Sequence, residues 1–140
     1  MAPHRTALVE RARALRWSYA RFDAEADRWA ALLPAHGVGR GARVGVLAGN
    51  RAETAALFWA CARVGAALVP FNWRLAPPEL AGVMRDAAPA LVFGEGRFRT
   101  AAEAAAPGAR WVDLDAEAPA LLAAGGPAAP DAALAADDPA

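Results

Sequence analysis

Apolar and polar positions alternate along the chain in two rhythms, and the changes of rhythm mark out the elements. Ala7-Leu8-Val9 and Leu15-Arg16-Trp17 read as two short strands joined by a charged turn. Phe22, Ala26, Trp29, Ala30 and Leu33 then recur at the spacing of one helix face, with Ser18 or Asp23 as the cap and Pro34 and Gly37 at the end. The uninterrupted run Val44-Gly45-Val46-Leu47-Ala48 predicts a strand buried on both faces. Residues 52–64 have helical length and are apolar nearly all round, which predicts a helix sandwiched between layers rather than laid on a surface. A short strand at Leu68-Val69 follows, stopped by Pro70. Pro77-Pro78-Glu79 opens a further helix whose face is Leu80, Val83, Met84 and Ala87, and a strand at 90–93 comes after it. Residues 99–106 read as a helix and 111–114 as a strand.

Strand alternates with helix throughout, so the fold class is α/β: an incomplete doubly wound, largely parallel sheet flanked by helices, with a short N-terminal β-hairpin. Residues 1–116 carry this ordered unit. From Glu117 onward the chain is Ala, Pro, Gly and Asp with no periodicity and no cation, so 117–140 reads as a flexible tail.

Composition narrows the function classes. The chain has 140 residues and no formal net charge; it is 56% hydrophobic but only 8% aromatic. It is too apolar to be disordered throughout, and its length suits a single core. All 15 cations are Arg. A P-loop needs a Lys, a serine hydrolase needs more than Ser18 in Trp17-Ser18-Tyr19, and disulfide or zinc scaffolds need more than Cys61. No apolar run reaches the ~18 residues of a membrane span and no signal peptide is evident, so the expected address is the cytoplasm, with Cys61 reduced. Residues 1–70 hold 10 Arg against 5 acids and residues 71–140 the reverse, 5 against 10. The Arg residues are scattered without stacking aromatics, so they read as solvated faces and no nucleic acid is expected.

No catalytic constellation or metal site emerges from the residues themselves. Gly37-Val38-Gly39-Arg40-Gly41 resembles a dinucleotide fingerprint but precedes its strand, whereas phosphate binding needs the glycines after one. The turn at the correct place, Ala48-Gly49-Asn50-Arg51, has one Gly and reads as a plain turn capped by Asn50, with a helix N-terminus that can attract an anion. Cys61 reads as a small core residue. His36 at a helix C-terminus reads as partly positive, and His4 lies in a frayed start. Asp113 and Asp115 share a face and read as surface charge. Trp17, Trp29, Trp59 and Trp73 fall on predicted buried faces or strand ends.

An ordered series of motifs is similar to the N-terminal part of the adenylate-forming superfamily, the AMP-binding acyl-CoA synthetases. Residues 15–22 resemble the family's "T-Y-x-E-L" entry, with Ser18 for Thr and Arg21 where Glu is usual. Gly37-Val38 through Val46 resembles "G-V-x-x-G-D-R-V", with Ala42 for Asp. Asn50, Glu53, then 58–66 and Val69-Pro70-Phe71-Asn72 match "N-x-x-E … G-a-x-x-v-P-x-N". Asn72-Trp73-Arg74-Leu75 and Glu79-Leu80 resemble the CoA-ligase branch, "N-x-R-L-x-x-x-E-L", rather than peptide-synthetase adenylation domains. The resemblance covers about residues 6–94.

The resemblance implies that residues 1–116 are the N-terminal part of a synthetase large domain. It implies that 117–140 leads toward a phosphate loop, since Asp137-Asp138-Pro139-Ala140 resembles the run before that loop. The implied reaction is adenylation of a carboxylate by ATP with Mg²⁺, then thioester formation with CoA. The family's phosphate loop, metal-binding acid and catalytic Lys lie further along, so this stretch alone is expected to be inactive and, with open sheet edges, marginally stable. Among its residues only Arg74 inherits a role, near the approach of the CoA nucleotide, with a surface salt bridge to Glu79 as the other reading. Two other function classes stay open: a non-catalytic α/β interaction module descended from such an enzyme, and an independent nucleotide-binding domain.

Overall fold

The computed structural model describes residues 2–125. An antiparallel hairpin, β1 (Thr6–Glu10) and β2 (Leu15–Ser18), opens the chain. Then come α1 (Tyr19–Ala35), β3 (Arg43–Leu47), α2 (Ala52–Val64), β4 (Ala67–Pro70), α3 (Pro77–Ala87), β5 (Leu91–Gly94), a 3-10 turn (Gly96–Phe98), α4 (Arg99–Ala105), β6 (Arg110–Asp113) and α5 (Ala118–Ala124). Strands β3 to β6 form one wholly parallel sheet in the order β4-β3-β5-β6. The α/β class, the parallel sheet and the hairpin are as the sequence predicts.

The period of two along each strand sends alternate side chains into two cores. Val44, Val46, Leu91, Phe93 and Val112 point to one face, where Trp29, Leu33, Leu57 and Cys61 of α1 and α2 cover them and Ala118 of α5 joins in. Leu47, Val92 and Trp111 point to the other, under Leu80 and Met84 of α3 and Ala102 of α4. Helices on both faces make the sheet doubly wound. The register places Val44 opposite Leu91 and Phe93 opposite Val112, so large side chains of neighbouring strands stack in rows. Trp29 meets Phe93 edge-on, their ring centroids 5.2 Å apart at 84°. Gly45 faces the second core, and the Phe71 ring lies 2.6 Å from where a Cβ would be, so only Gly admits that ring.

Helix ends follow local chemistry. The Ser18 hydroxyl accepts from the Arg21 N–H at 3.2 Å and caps α1, settling the choice against Asp23. Pro34 lies inside the last turn of α1 rather than ending it, since a proline there costs a single backbone bond. Gly65, at φ 73°, ends α2 with its own N–H on the Ala62 carbonyl and that of Ala66 on Cys61, the paired bonds that close a helix on a left-handed residue.

Three expectations are corrected. Helix α2 is not sandwiched. Ala52, Ala56, Leu57, Ala60 and Cys61 are buried, but Phe58 and Trp59 are 41% and 51% exposed and pack edge-to-face on each other on the outside. Trp59 and Trp73 are therefore not core residues, whereas Trp17 and Trp29 are. The segment from Glu117 does not lack structure throughout: residues 118–124 form α5, because Ala118 is buried and Leu121 and Leu122 lean on the first core. The remainder of that expected tail, 126–140, lies outside the described residues.

Candidate functional site

Strand β3 is followed by a crossover to β4 on one side, and its other neighbour is β5, so the chain reverses direction across the sheet between β3 and β5. In open α/β sheets the crevice at the carboxyl ends of such strands is where ligands bind. Here it is built from the turn Gly49-Asn50-Arg51, the segment Glu95-Gly96-Arg97-Phe98 and the loop after β6.

The protein's own carboxylates fill the part of this crevice nearest α2. The Gly49 N–H donates to Glu95 Oε1 at 2.7 Å, and the Ala52 N–H, in the first turn of α2, donates to Glu10 Oε2 at 2.9 Å. The cap of α2 is thus a carboxylate from the hairpin and not Asn50; Arg51 occupies the N-cap position, but its side chain makes no capping bond to the helix. An anion is held at this helix end, as its dipole favours, but it belongs to the chain.

A network of ion pairs surrounds that cap. Arg13, in the hairpin turn, binds Glu10 and also Glu53 of α2, the latter at 2.6 and 2.7 Å. Arg51 reaches Glu53 at 3.3 Å and grips Asp115 with two bonds of 2.7 and 2.9 Å. Burial works to raise the Glu53 carboxyl, but the hydrogen bonds from Arg13 and Arg51 outweigh it and hold the group at about 2. Arg13 lowers Glu10 and Arg51 lowers Asp115 in the same way. Glu53, matched in the sequence to the Glu of "N-x-x-E", is therefore the joint between hairpin, turn and helix.

Asp113 and Asp115 do not act as a pair. Asp113 is 8% exposed, and its Oδ1 accepts the N–H groups of Asp115 and Ala116 at 2.8 and 2.9 Å, shaping the loop after β6. Reading both as surface charge misses this, because a buried carboxylate taking turn amides has the same sequence signature as an exposed one. His36, capping the C-terminus of α1, is also corrected. Burial, with Arg110 Nη1 at 2.6 Å from its Nδ1, lowers its pKa and favours the neutral ring over the partly positive one expected. Cys61 is fully buried in the first core, and its thiol is pushed up to about 12 by burial, as suits a packing residue. His4 is exposed. Among the described residues no group of three or more His, Cys, Asp or Glu is arranged to hold a metal ion.

The other end of the crevice, toward α3 and α4, is cationic and aromatic. After β4 the Asn72 side chain accepts the Arg74 N–H at 3.0 Å and turns the chain, bringing out Trp73 and Arg74. After β5 the 3-10 turn brings out Arg97 and Phe98. Trp73 and Phe98 stack with centroids 5.7 Å apart and planes at 27°. The Arg74 guanidinium lies 4.6 Å from the Trp73 centroid; that of Arg97 lies 5.5 Å from Trp73 and 4.5 Å from Phe98. Arg74 does not pair with Glu79, whose carboxylate instead accepts the Ala76 N–H at 2.9 Å at the start of α3. Arg97 and Phe98 escape a reading of the sequence. Their only signal is an Arg-aromatic pair shortly after a strand, just past Gly94-Glu95-Gly96.

A cleft of about 710 Å³ separates the hairpin from the outer side of α2, lined mainly by apolar groups such as Val9, Ala55, Phe58 and Leu68. No helix of the described residues is long and apolar enough to cross a membrane.

Comparison with known proteins converges on one family. The family model described as AMP-binding enzyme matches residues 1–140. The long-chain-fatty-acid–CoA ligase FadD13 of Mycobacterium tuberculosis is 38% identical over 93 residues, 66% of this chain and 18% of that protein. The indoleacetate–CoA ligase of Aromatoleum aromaticum is 42% identical over 81 residues, 58% of this chain and 16% of that one. Among solved structures, the inhibitor-bound N-terminal domain of FACL13 from Mycobacterium tuberculosis superposes with a TM-score of 0.88 at 29% identity, covering 97% of this chain and 36% of that domain. ATP-bound MatB from Rhodopseudomonas palustris gives 0.86 at 29% identity, over 98% of this chain and 28% of that one. The matched segments are under a fifth of the two curated ligases, and nearly the whole chain corresponds to 28% of MatB, so the chain spans well under half the length of these relatives. The parallel sheet with its hairpin, the motif series along β3, α2 and the β4–α3 loop, and a family match over the whole sequence agree: the chain belongs to the AMP-binding enzyme family.

Proposed function

We propose that these residues are the N-terminal part of the large domain of an ATP-dependent acid–CoA ligase. In that reaction a carboxylate attacks the α-phosphorus of ATP and pyrophosphate leaves, giving an acyl-adenylate; the CoA thiolate then displaces AMP to give the thioester. The observation that carries this reading is the family match over all 140 residues.

The described residues suit the CoA nucleotide and not ATP with Mg²⁺. Stabilising a triphosphate in transfer takes free N–H groups, cations and a metal ion. The N–H groups of Gly49 and Ala52 are already bonded to Glu95 and Glu10, and the chain has no Lys. No step of adenylation is therefore assigned to them, and this stretch alone is expected to be inactive. Arg74 supports the second half of the reaction. Its guanidinium carbon lies 4.6 Å from the Trp73 centroid, the residue is exposed, and among the described residues it makes no ion pair, so it can take a phosphate of the approaching CoA.

The test is carboxylate-dependent ATP–pyrophosphate exchange, over fatty and aromatic acids, for the 140-residue chain and for the product of the whole open reading frame that encodes it. Exchange by the latter alone is expected; no exchange by either overturns the reading. A second reading, a non-catalytic interaction module, draws on the exposed Phe58 and Trp59. A monodisperse, cooperatively unfolding 140-residue product together with no exchange would favour it.

A further inference from the structure

We propose that the outer face of α2, the ridge of Phe58 and Trp59 with a cleft on either side, is the docking surface for the remainder of the large domain; this rests on the reading of the chain as the N-terminal part of that domain. Four of the large apolar side chains left exposed among the described residues lie together here. Val9 of the hairpin shares the cleft of about 710 Å³ with Phe58, and Tyr19 at the start of α1 shares a second cleft, of about 550 Å³, with Trp59. Phe58 and Trp59 meet edge-to-face with centroids 5.6 Å apart and form the ridge between the two. Aromatic surface of this extent marks a place where something docks. Helix α3, on the opposite face of the sheet, shows the ordinary pattern of a helix that meets water: Leu80 and Met84 are buried, and Glu79, Arg85 and Asp86 share the helix with them.

The charges beside the ridge fix the kind of contact it suits. Only Glu53 and Arg63 are charged among the 13 residues of α2, and both are paired within the chain. Arg13 joins Glu53 to Glu10 and so ties the hairpin wall of the first cleft to α2. Arg63 binds Asp27 at 2.5 Å and also Asp23, which ties the α1 wall of the second cleft to α2. Each cleft is thus held open by an ion-pair clamp, and α2 itself presents shape and apolar area but no unpaired charge. Such a surface suits a permanent contact, because lasting interfaces resemble a domain core cut in two. The length of a relative identifies the occupant. This chain covers 36% of the FACL13 N-terminal domain, so most of that one domain lies beyond the part that corresponds to it. The parts of a single domain share a core. Of the two helical layers on the sheet, that of α1 and α2 presents the aromatic ridge and the preformed clefts, and so receives the rest.

The experiment introduces Trp59→Cys into the 140-residue chain and into the product of the whole open reading frame. Both are treated with a maleimide, native and in denaturant, and the modified position is read by fragment mass spectrometry; Cys61 is buried and stays silent in the native chain. Residue 59 is expected to react in the native 140-residue chain, to lose that reactivity in the native whole product, and to regain it on unfolding. Equal labelling of the two native forms overturns the inference and leaves the ridge to a separate protein. Protection that appears in the 140-residue chain as its concentration rises also overturns it, because the occupant is then a second copy, and so does a reading frame that ends at codon 140. Trp59→Asp supplies a second readout. It should move the Tm of the 140-residue chain by no more than about 2 °C, as at an exposed position, and lower that of the whole product by about 5 °C or more; a small shift in both counts against the inference. Where Trp59→Cys leaves the whole product unfolded, Ala55→Cys in the first cleft reads the same surface with little change in volume. The two readings fail separately. Pyrophosphate exchange by a whole product that is labelled at residue 59 keeps the ligase reading and removes this one, and protection without exchange does the reverse.

Discussion

Replacing Glu53 by Gln keeps the shape of the side chain and removes the charge that Arg13 and Arg51 share. The folded-state carboxyl is held at about 2 against an ordinary 4.5. At about 1.4 kcal/mol per pKa unit the shift sets a ceiling of roughly 3 kcal/mol. The side chain keeps 18% of its surface exposed, and after the substitution Arg13 still holds Glu10 and Arg51 still holds Asp115. Solvent screening and these surviving pairs reduce the expected loss to about 1–2 kcal/mol. For a domain of this size that is a fall in Tm of about 3–8 °C. The sign follows from the direction of the shift. A depressed carboxyl stabilises the fold fully above 4.5, and that contribution is lost as the pH falls through 2. Thermal unfolding followed by circular dichroism should therefore show the full gap between wild type and Glu53→Gln at neutral pH, closing steadily in acid. A gap of equal size at neutral pH and at pH 2 would mean that Glu53 acts by packing rather than charge, and no gap at neutral pH would refute the network as a stabilising joint.

Gly94→Ala should destabilise by about 1–3 kcal/mol or prevent folding, because the new Cβ would lie 2.6 Å from the Leu47 carbonyl oxygen and against the Trp111 ring; denaturant unfolding at wild-type stability would contradict this. Ser18→Ala removes the cap of α1 and should cost about 1 kcal/mol, measured by urea titration, with Ser18→Asp recovering most of it. Cys61 should resist thiol reagents in the native protein at pH 8 and react stoichiometrically in denaturant, since its thiol is buried and raised to about 12; rapid native labelling would show the first core to be open. His36 should titrate below its ordinary 6.5, so that protonating it in acid opposes folding. Arg110→Gln should raise its value only in part, because burial is the larger cause, and NMR of the ring protons reads both.

The reach of the sequence differs between fold and site for reasons visible in particular residues. Strands β3 and β5 are runs of Val, Leu and Phe buried on both faces, and α1 carries a clear helical stripe, so the period of the pattern and the burial agree. Ser18, Gly65 and the Pro77-Pro78-Glu79 start act on their immediate neighbours, and such signals survive in one dimension. Helix α2 misleads because periodicity reports how apolar a face is and not whether anything covers it: Phe58 and Trp59 look like core residues and lie outside. Residues 118–124 mislead in the opposite sense, since an Ala-rich stretch with weak periodicity becomes a helix once Ala118 finds the core.

The site was legible only where a motif named it. Arg74 and Glu53 stand out by resemblance, but their partners lie far away in sequence. Glu10 caps a helix that begins more than forty residues later, Asp115 reaches Arg51 across sixty-four, and Arg97 meets Trp73 only because β4 and β5 both flank β3. Alternation of strand and helix, local caps and turn residues determined by themselves that this chain forms a doubly wound parallel α/β sheet with a hairpin, because each depends on neighbours within a few residues. Which carboxylate satisfies which helix end, which tryptophan stays wet and which two arginines share one aromatic pair were decided by the order of strands in the sheet. That order is set by packing between segments distant along the chain, and no local pattern encodes it.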